Sequence, residues 1–308
     1  MAIKSIKLEN FTVFENIKCN FSRGINILIG ENGTGKTHLL KAMYATTLAD
    51  KYRKPFTGEN TFKSEAVTVT NNYDHVILPL FFAPVEGLDI NLVRNKSSDT
   101  ESARVEVVTD KGTIVGHVAG LAYCTAVKPS DVEGKIFEQE TLFIPAKDML
   151  SHSGIENDYA KRLLPFDKTQ INLLNDLRIS RLREQTELIK TLTQKLSEIL
   201  GGRVLYRNSG YYIEKRNGLV NVALEAEGFK KLAVLYRALY TGYLQPGSIL
   251  FWDEPEANIS RMHTADVVNM LLDLSRNGVQ IFLATHDYNF MKYFSMKKKA
   301  DDNVYSAY

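Results

Sequence analysis

The stretch GINILIGENGTGKTHLLKAM, Gly24 to Met43, constrains the fold more than any other. Ile25 to Ile29 is apolar except for Asn26, as expected of a strand buried on both faces of a sheet. Gly30-Glu31-Asn32-Gly33-Thr34-Gly35-Lys36-Thr37 follows, and a helix is predicted from Thr37 to about Ala49. Ordering a glycine-rich loop costs conformational entropy. The spacing G-x-x-x-x-G-K-[ST] supplies the return. Its glycines let successive backbone N–H groups turn inward toward phosphate oxygens, and the helix adds the positive end of its dipole. Lys36 is placed to reach the β- and γ-phosphates, and Thr37 to offer its hydroxyl to Mg²⁺. A chance match in an ordinary strand–turn–helix is the competing reading, and both flanks argue against it.

The remaining composition excludes several classes. The 308 residues provide ample material for a core, and the net charge of +2 neither demands nor excludes nucleic acid. Cys19 and Cys124 lie far apart and make neither a disulfide framework nor a zinc spacing. No run approaches the roughly 18 apolar residues of a membrane span. The opening MAIKSIKLENF alternates like a strand and lacks a signal-peptide core, so a cytoplasmic location is expected.

Ile3, Ile6 and Leu8 open a predicted strand whose partner is Ile17 to Phe21. After the first helix the pattern becomes β-rich, with AVTVT, HVILPLFF, ARVEVVT, TIVGHV and LAYCTAV separated by polar turns such as RNKSSDTES. TLFIPAKDMLS reads as a strand entering a turn or short helix. Ile179 to Leu200 is strongly helical, with Leu182, Ile189 and Leu196 every seven residues and Gly201-Gly202 as a stop. It reads as an amphipathic helix packed on its own domain, with a short coiled coil as the alternative. RVLYR, GYYIEK and LVNVAL are three short strands. The rest alternates: helix Gly228–Tyr243, strand SILFWDE, helix His263–Leu274, strand VQIFLATH and helix Tyr288–Phe294, the signature of a parallel sheet. The expected organisation is an α/β core from 1–49 and 200–308, a β-rich inserted lobe at 50–145, and a helical segment or short arm at 146–200.

Two further motifs carry chemistry. In SILFWDEPEANIS, the apolar run Ile249 to Trp252 leads into Asp253 and Glu254. A phosphate loop needs a carboxylate at the end of a neighbouring strand to hold the Mg²⁺ shell, and Asp253 fits that place. Glu254 is the natural group to orient or deprotonate an attacking water. In IFLATHD, His286 ends another buried strand, where a histidine can reach a γ-phosphate and report its presence; a plain structural histidine is the competing reading.

With these motifs in this order, the chain resembles ABC-type P-loop ATPases of the SMC/RecF/OLD branch. IKLENFTVFENIKCNFSRGINILIGENGTGKTHLLKAM is similar to the start of RecF and of SMC heads. The resemblance covers roughly residues 1–49 and 200–295. It implies an ABC-type head with a mixed or parallel sheet, ATP and Mg²⁺ as cofactors, and ATP-driven pairing into a homodimer or higher oligomer. It also implies phosphate-loop roles for Gly30, Asn32, Gly33, Thr34, Gly35, Lys36, Thr37 and His38, metal ligation by Thr37 and Asp253, and catalytic roles for Glu254 and His286. A signature motif is expected at ALEAEGFKKLAVLYRAL, where Gly228 and Lys230 would face the partner's nucleotide. Ala226 stands where the family has serine, and Glu227 where it has the first glycine. A carboxylate near phosphate is repelled unless Lys230, Lys231 or Mg²⁺ compensates. Two other departures are Thr12, in NFTVF where relatives carry arginine, and the lack of an obvious family glutamine; Gln139 is weakly placed. Lys147 or Asp148 in PAKDM either faces the nucleotide or forms a surface turn.

The variant signature looks like that of small OLD-like ATPases of phage-defence and toxin–antitoxin modules. The expected function is an ATP-hydrolysing head acting as a nucleotide-driven switch on a protein effector, a nuclease or toxin in trans, because the sequence shows no second catalytic constellation and no TOPRIM region. The alternative is a RecF/SMC-like DNA-binding ATPase of DNA repair, with Arg178, Arg181 and Arg183 as candidate phosphate contacts. A transporter subunit fits less well, no membrane is expected as a partner, and a full SMC protein is excluded by length. NVYSAY at the end reads as a strand cut in its middle.

Overall fold

The computed structural model describes residues 1–51, 67–69, 102–119, 122–128, 136–159, 164–179 and 184–307. HVILPLFF, most of RNKSSDTES, Leu182, Arg181 and Arg183 lie outside them.

The first hairpin pairs β1 (Ile3–Phe11) with β2 (Phe14–Asn20). β3 (Ile25–Ile29) is buried at every position and feeds α1 (Lys36–Lys51). β4 (Val67–Val69), β5 (Ser102–Thr109), β6 (Thr113–Ala119) and β7 (Ala122–Lys128) extend the hairpin into one antiparallel sheet, in the order β2-β1-β5-β6-β7-β4. β1 therefore joins strands that lie about a hundred residues away, Ile6 facing Val107 and Leu8 facing Val105.

β8 (Thr141–Ile144) is followed by short 3₁₀ turns, α2 (Lys168–Leu177) and α3 (Glu187–Leu200). A small antiparallel sheet comprises β9 (Gly202–Arg207), β10 (Gly210–Lys215) and β11 (Gly218–Asn221). Then come α4 (Glu227–Thr241), β12 (Ile249–Asp253), α5 (Arg261–Arg276), β13 (Gln280–Thr285), α6 (Tyr288–Lys297) and β14 (Val304–Ala307). β14-β3-β13-β12-β8 form a five-stranded sheet, parallel throughout.

Strand periodicity divides the core. Ile25, Ile27, Leu250, Trp252, Ile281 and Leu283 face one cluster, shared with α2 to α5. Leu28, Ile249, Phe251, Phe282 and Ala284 face the other, shared with α1, β1 and β5. Sandwiched between two sheets, α1 is buried nearly all round, which is why it carries little amphipathic pattern.

α2 lies within the segment 146–200 expected to be helical, but no sequence pattern gives its bounds. Its start is set by Asp167, whose carboxylate accepts from Thr169 N and Gln170 N in a capping box, and which also pairs with Lys41 of α1 at 2.8 Å. Within the described residues the α3 seam of Ile189, Leu192, Leu196 and Leu200 is buried in its own domain, against α4, and the helix closes on Gly201 in the left-handed region.

The N-terminal ends of the parallel strands are tied by paired polar groups. Gln280 accepts from Ile3 N and donates to the carbonyls of Ile3 and Ser22, each at 2.8 Å. Thr47 donates to Thr141 at 3.1 Å, Phe137 N to Asp50 at 2.7 Å, and Lys51 pairs with Glu140 at 2.6 Å. Tyr243 donates to Asp176 at 2.8 Å; burial pushes the Asp176 carboxyl up to about 7. Gln139 lies here too, its side chain against Gly247, at the end opposite the phosphate loop.

Candidate functional site

The order β3-β13-β12 places the three motif-bearing strands side by side, and their ends are level. Ile29 pairs with Thr285, and Ala284 with Asp253. The loops that leave these strands therefore open at one edge of the sheet, the C-terminal edge where parallel α/β sheets bind ligands.

The loop after β3 is held by its own lysine. Lys36 Nζ donates to the carbonyls of Gly30 at 2.7 Å and Glu31 at 2.6 Å, and Thr34 donates to Glu31 O at 2.9 Å. Gly33 and Gly35 adopt φ of 82° and 91°, the left-handed region that glycine reaches without strain. Gly35 has a second reason to lack a side chain: a Cβ there would stand 2.5 Å from Val13 and Phe14. The β1–β2 hairpin tip thus lies over the loop, a placement the sequence does not announce. Asn32, Gly33, Gly35, Lys36, Thr37 and His38 line a cleft of about 200 Å³ with Val13, Asp253 and Glu254. Burial and nearby Lys41 hold the His38 imidazole below its ordinary range, which favours its neutral form.

Across this cleft Thr37 Oγ1 donates to Asp253 Oδ2 at 2.9 Å, linking residues 216 apart. Burial raises the Asp253 carboxyl, against the lowering effect of the Thr37 bond. A hydroxyl and a buried carboxylate, both hard oxygen donors open to a phosphate loop, suit Mg²⁺, which keeps waters and completes its shell from substrate phosphates. Among the described residues no group of three or more His, Cys, Asp or Glu forms a metal cluster.

Glu254 adopts φ 47°, uncommon for a side-chain-bearing residue. Its N–H donates to Ala284 O at 2.8 Å, and Lys231 Nζ donates to its carbonyl at 2.5 Å. Its carboxylate lies 3.4 Å from His286 Nδ1. Glu256, a residue the sequence reading passes over, lies 4.0 Å from the same nitrogen. Its Oε1 accepts from Thr285 at 2.6 Å, its Oε2 is buried with no hydrogen-bond partner among the described residues, and burial raises it. The only sequence signal was a third acid in DEPE.

The signature region stands apart from this cleft. Gly228 packs under the loop after β12, where a Cβ would meet Asn258 O at 2.5 Å. Lys230 pairs with Glu227 at 2.7 Å and lies 3.8 Å from Asp148. Asp148 itself accepts from Leu150 N and Ser151 N, so it caps a turn beside Lys230. Ala226 is the N-cap of α4 and offers no side-chain bond.

The sequence matches two families: "AAA ATPase domain" over residues 1–113, and "AAA domain, putative AbiEii toxin, Type IV TA system" over residues 129–292. It is 45% identical over 53 residues to the DNA replication and repair protein RecF of Exiguobacterium sp., covering 17% of this chain and 14% of that one. Against RecF of Staphylococcus haemolyticus it is 37% identical over 83 residues, 26% of this chain and 22% of that one. These matches span less than a quarter of either relative. Among solved structures, an SMC head bound to the C-terminal winged-helix domain of ScpA superposes with TM-score 0.53 at 14% identity, covering 94% of this chain and 91% of that one. An Smc head with an extended coiled coil, bound to the C-terminal domain of ScpA derived from Pyrococcus furiosus, gives 0.50 at 13% identity over the same shares. At such identities the likeness is one of fold: an SMC-head-like α/β architecture.

Proposed function

The chain belongs to the family described as "AAA domain, putative AbiEii toxin, Type IV TA system", and from that premise we propose that it binds and hydrolyses ATP as an ABC-type head. The single observation that carries the reading is the Thr37–Asp253 bond at 2.9 Å, which joins the phosphate loop to the acid of a neighbouring strand beside Glu254.

The residues divide the work. The N–H groups of the loop and of the first turn of α1 receive the phosphates. Lys36, now bonded to loop carbonyls, exchanges those bonds for phosphate oxygens. Thr37 and Asp253 would hold Mg²⁺, which supplies charge neutralisation at the transferred phosphoryl group. Glu254 orients the attacking water and accepts its proton. His286, whose Nδ1 lies 3.4 Å from the Glu254 carboxylate, would sense the γ-phosphate beside that base.

We further propose that two copies close around two nucleotides and that α4 presents its N-terminus to the partner's phosphate. Binding closes the pair and hydrolysis reopens it. The role we propose is a switch on a protein effector, a nuclease or toxin, in defence against phage; the family description, which names a putative toxin and a toxin–antitoxin system, supports the toxin–antitoxin setting of that reading. The RecF matches over the N-terminal motif support the second reading, a DNA-binding ATPase of repair. A mobility-shift assay with and without ATP over a salt series separates them. An ATP-dependent shift favours repair; no shift on any DNA favours effector control.

The ATPase reading is tested by Lys36→Ala, expected to abolish turnover, and Glu254→Gln, expected to slow it while ATP stays bound. Unchanged turnover in both variants would end it.

A further inference from the structure

From sequence alone Lys230 and Lys231 are interchangeable counter-charges for Glu227. The structure separates them. Lys230 takes Glu227 at 2.7 Å. Lys231, about 100° further round α4, points into the protein, 5% exposed, and its Nζ donates to the backbone carbonyl of Glu254 at 2.5 Å. That carbonyl belongs to the residue held at φ 47°, whose N–H is taken by Ala284 O at 2.8 Å. The left-handed turn is thus pinned from both sides, by β13 through the N–H and by α4 through the carbonyl.

Burying an ammonium is costly. The carboxylates of Glu256, Glu254, Asp253 and Glu227 favour its charge, yet burial prevails and holds Lys231 below the ordinary lysine range. An apolar side chain would fill the same space more cheaply, so the ammonium is explained by what it bonds. Its target is the main chain of the proposed base. It also ties that base to the start of α4, and Gly228 already lies against Asn258 of the same loop.

We propose that Lys231 is a positioning residue for Glu254. It fixes the left-handed peptide, and with it the aim of the carboxylate into the cleft, and it couples the loop after β12 to the N-terminal end of α4. The inference rests on the reading of Glu254 as the base of ATP hydrolysis.

A double-mutant cycle tests it. Lys231→Met keeps the length of the side chain and removes the ammonium. It is expected to lower kcat for ATP at least tenfold, about 1.4 kcal/mol of barrier, with ATP affinity within twofold of wild type and the melting temperature little changed. Lys231→Arg is expected to restore part of kcat. In a Glu254→Gln background, Lys231→Met is expected to add less than a twofold loss, because the group it positions is already gone. Turnover of Lys231→Met within twofold of wild type, a loss of ATP affinity that matches the loss of kcat, or full additivity with Glu254→Gln would overturn the proposal. If Lys231→Met does not fold, Lys231→Arg carries the same cycle, a kcat loss that vanishes in the Glu254→Gln background supporting the proposal and an additive one overturning it. Wild-type turnover and its dependence on Lys36 are measured alongside. Their absence would fell the ATPase reading itself, whereas Lys36-dependent turnover that is indifferent to Lys231 fells only this inference.

Discussion

At the N-terminal end of the parallel sheet polar side chains answer one another: Gln280 with the main chain of β1, Thr47 with Thr141, Lys51 with Glu140, Tyr243 with Asp176. At the C-terminal end Asp253 and Glu254 line a cleft with the phosphate loop, His286 lies against Glu254, and the Oε2 of Glu256 is buried with no hydrogen-bond partner among the described residues. The strands are the same at both ends. The difference teaches that a paired polar group contributes fold stability, whereas a group aimed at a shared space with its charge unmatched is held ready for a ligand. Changes at one end should therefore move turnover without stability, and changes at the other should move stability without turnover.

The largest expected effect is that of Lys36→Ala. ATP turnover should fall about a hundredfold or more, as when a group that stabilises transition-state charge is lost. The urea midpoint should stay near wild type, because the bonds removed lie within one exposed loop. A matching fall in stability would break the contrast.

At the other end, Gln280→Ala strips partners from Ile3 N, Ile3 O and Ser22 O around a side chain that is 1% exposed. The loss should be about 2–4 kcal/mol in urea unfolding, while turnover per folded molecule stays within twofold.

Asp176 gives a pH test of the same end. Burial pushes its folded carboxyl up to about 7, above the ordinary aspartate value of 3.8, so the native state holds the proton that the unfolded chain releases. Stability from this group is full below the unfolded value and is lost as pH rises toward about 7. Asp176→Asn keeps an acceptor for Tyr243 and has nothing to ionise. The variant should lose less stability than wild type between pH 5 and pH 8, by on the order of 2 kcal/mol. Equal pH slopes by thermal unfolding would contradict the assignment.

Glu227→Ala should have the smallest effect. The carboxylate is half exposed, so its pairing with Lys230 adds little to folding. Its removal takes a negative charge from the start of α4, and ATP-dependent self-association, followed by sedimentation, should strengthen by about two- to fivefold. Weakened association would show that the acid is part of the contact.

Much of this was legible in the sequence because the signals were local. GENGTGKT, FWDE and ATHD each join a buried strand to a polar turn, and the strand–helix alternation from Gly228 onward points to a parallel sheet, though not to its strand order. The rest depends on contacts across long separations. That Val13 and Phe14 cover Gly35 joins a hairpin tip to a loop some twenty residues on, and the pairing of β1 with β5 spans about a hundred; no local pattern specifies either. Lys231 and Lys230 are neighbours of the same type, and only the angle of α4 sends one to Glu227 and the other to the back of Glu254. α2 is short, and its cap, Asp167, has its second partner on α1.

The central claim is that the C-terminal end hydrolyses ATP through Glu254. The most direct measurement is the nucleotide carried by each protein after incubation with Mg²⁺ and ATP and rapid desalting. ATP bound to Glu254→Gln, ADP bound to or released by wild type, and none on Lys36→Ala is the predicted pattern. ADP formed equally by wild type and Glu254→Gln, or equal ATP retention by Lys36→Ala, would contradict it.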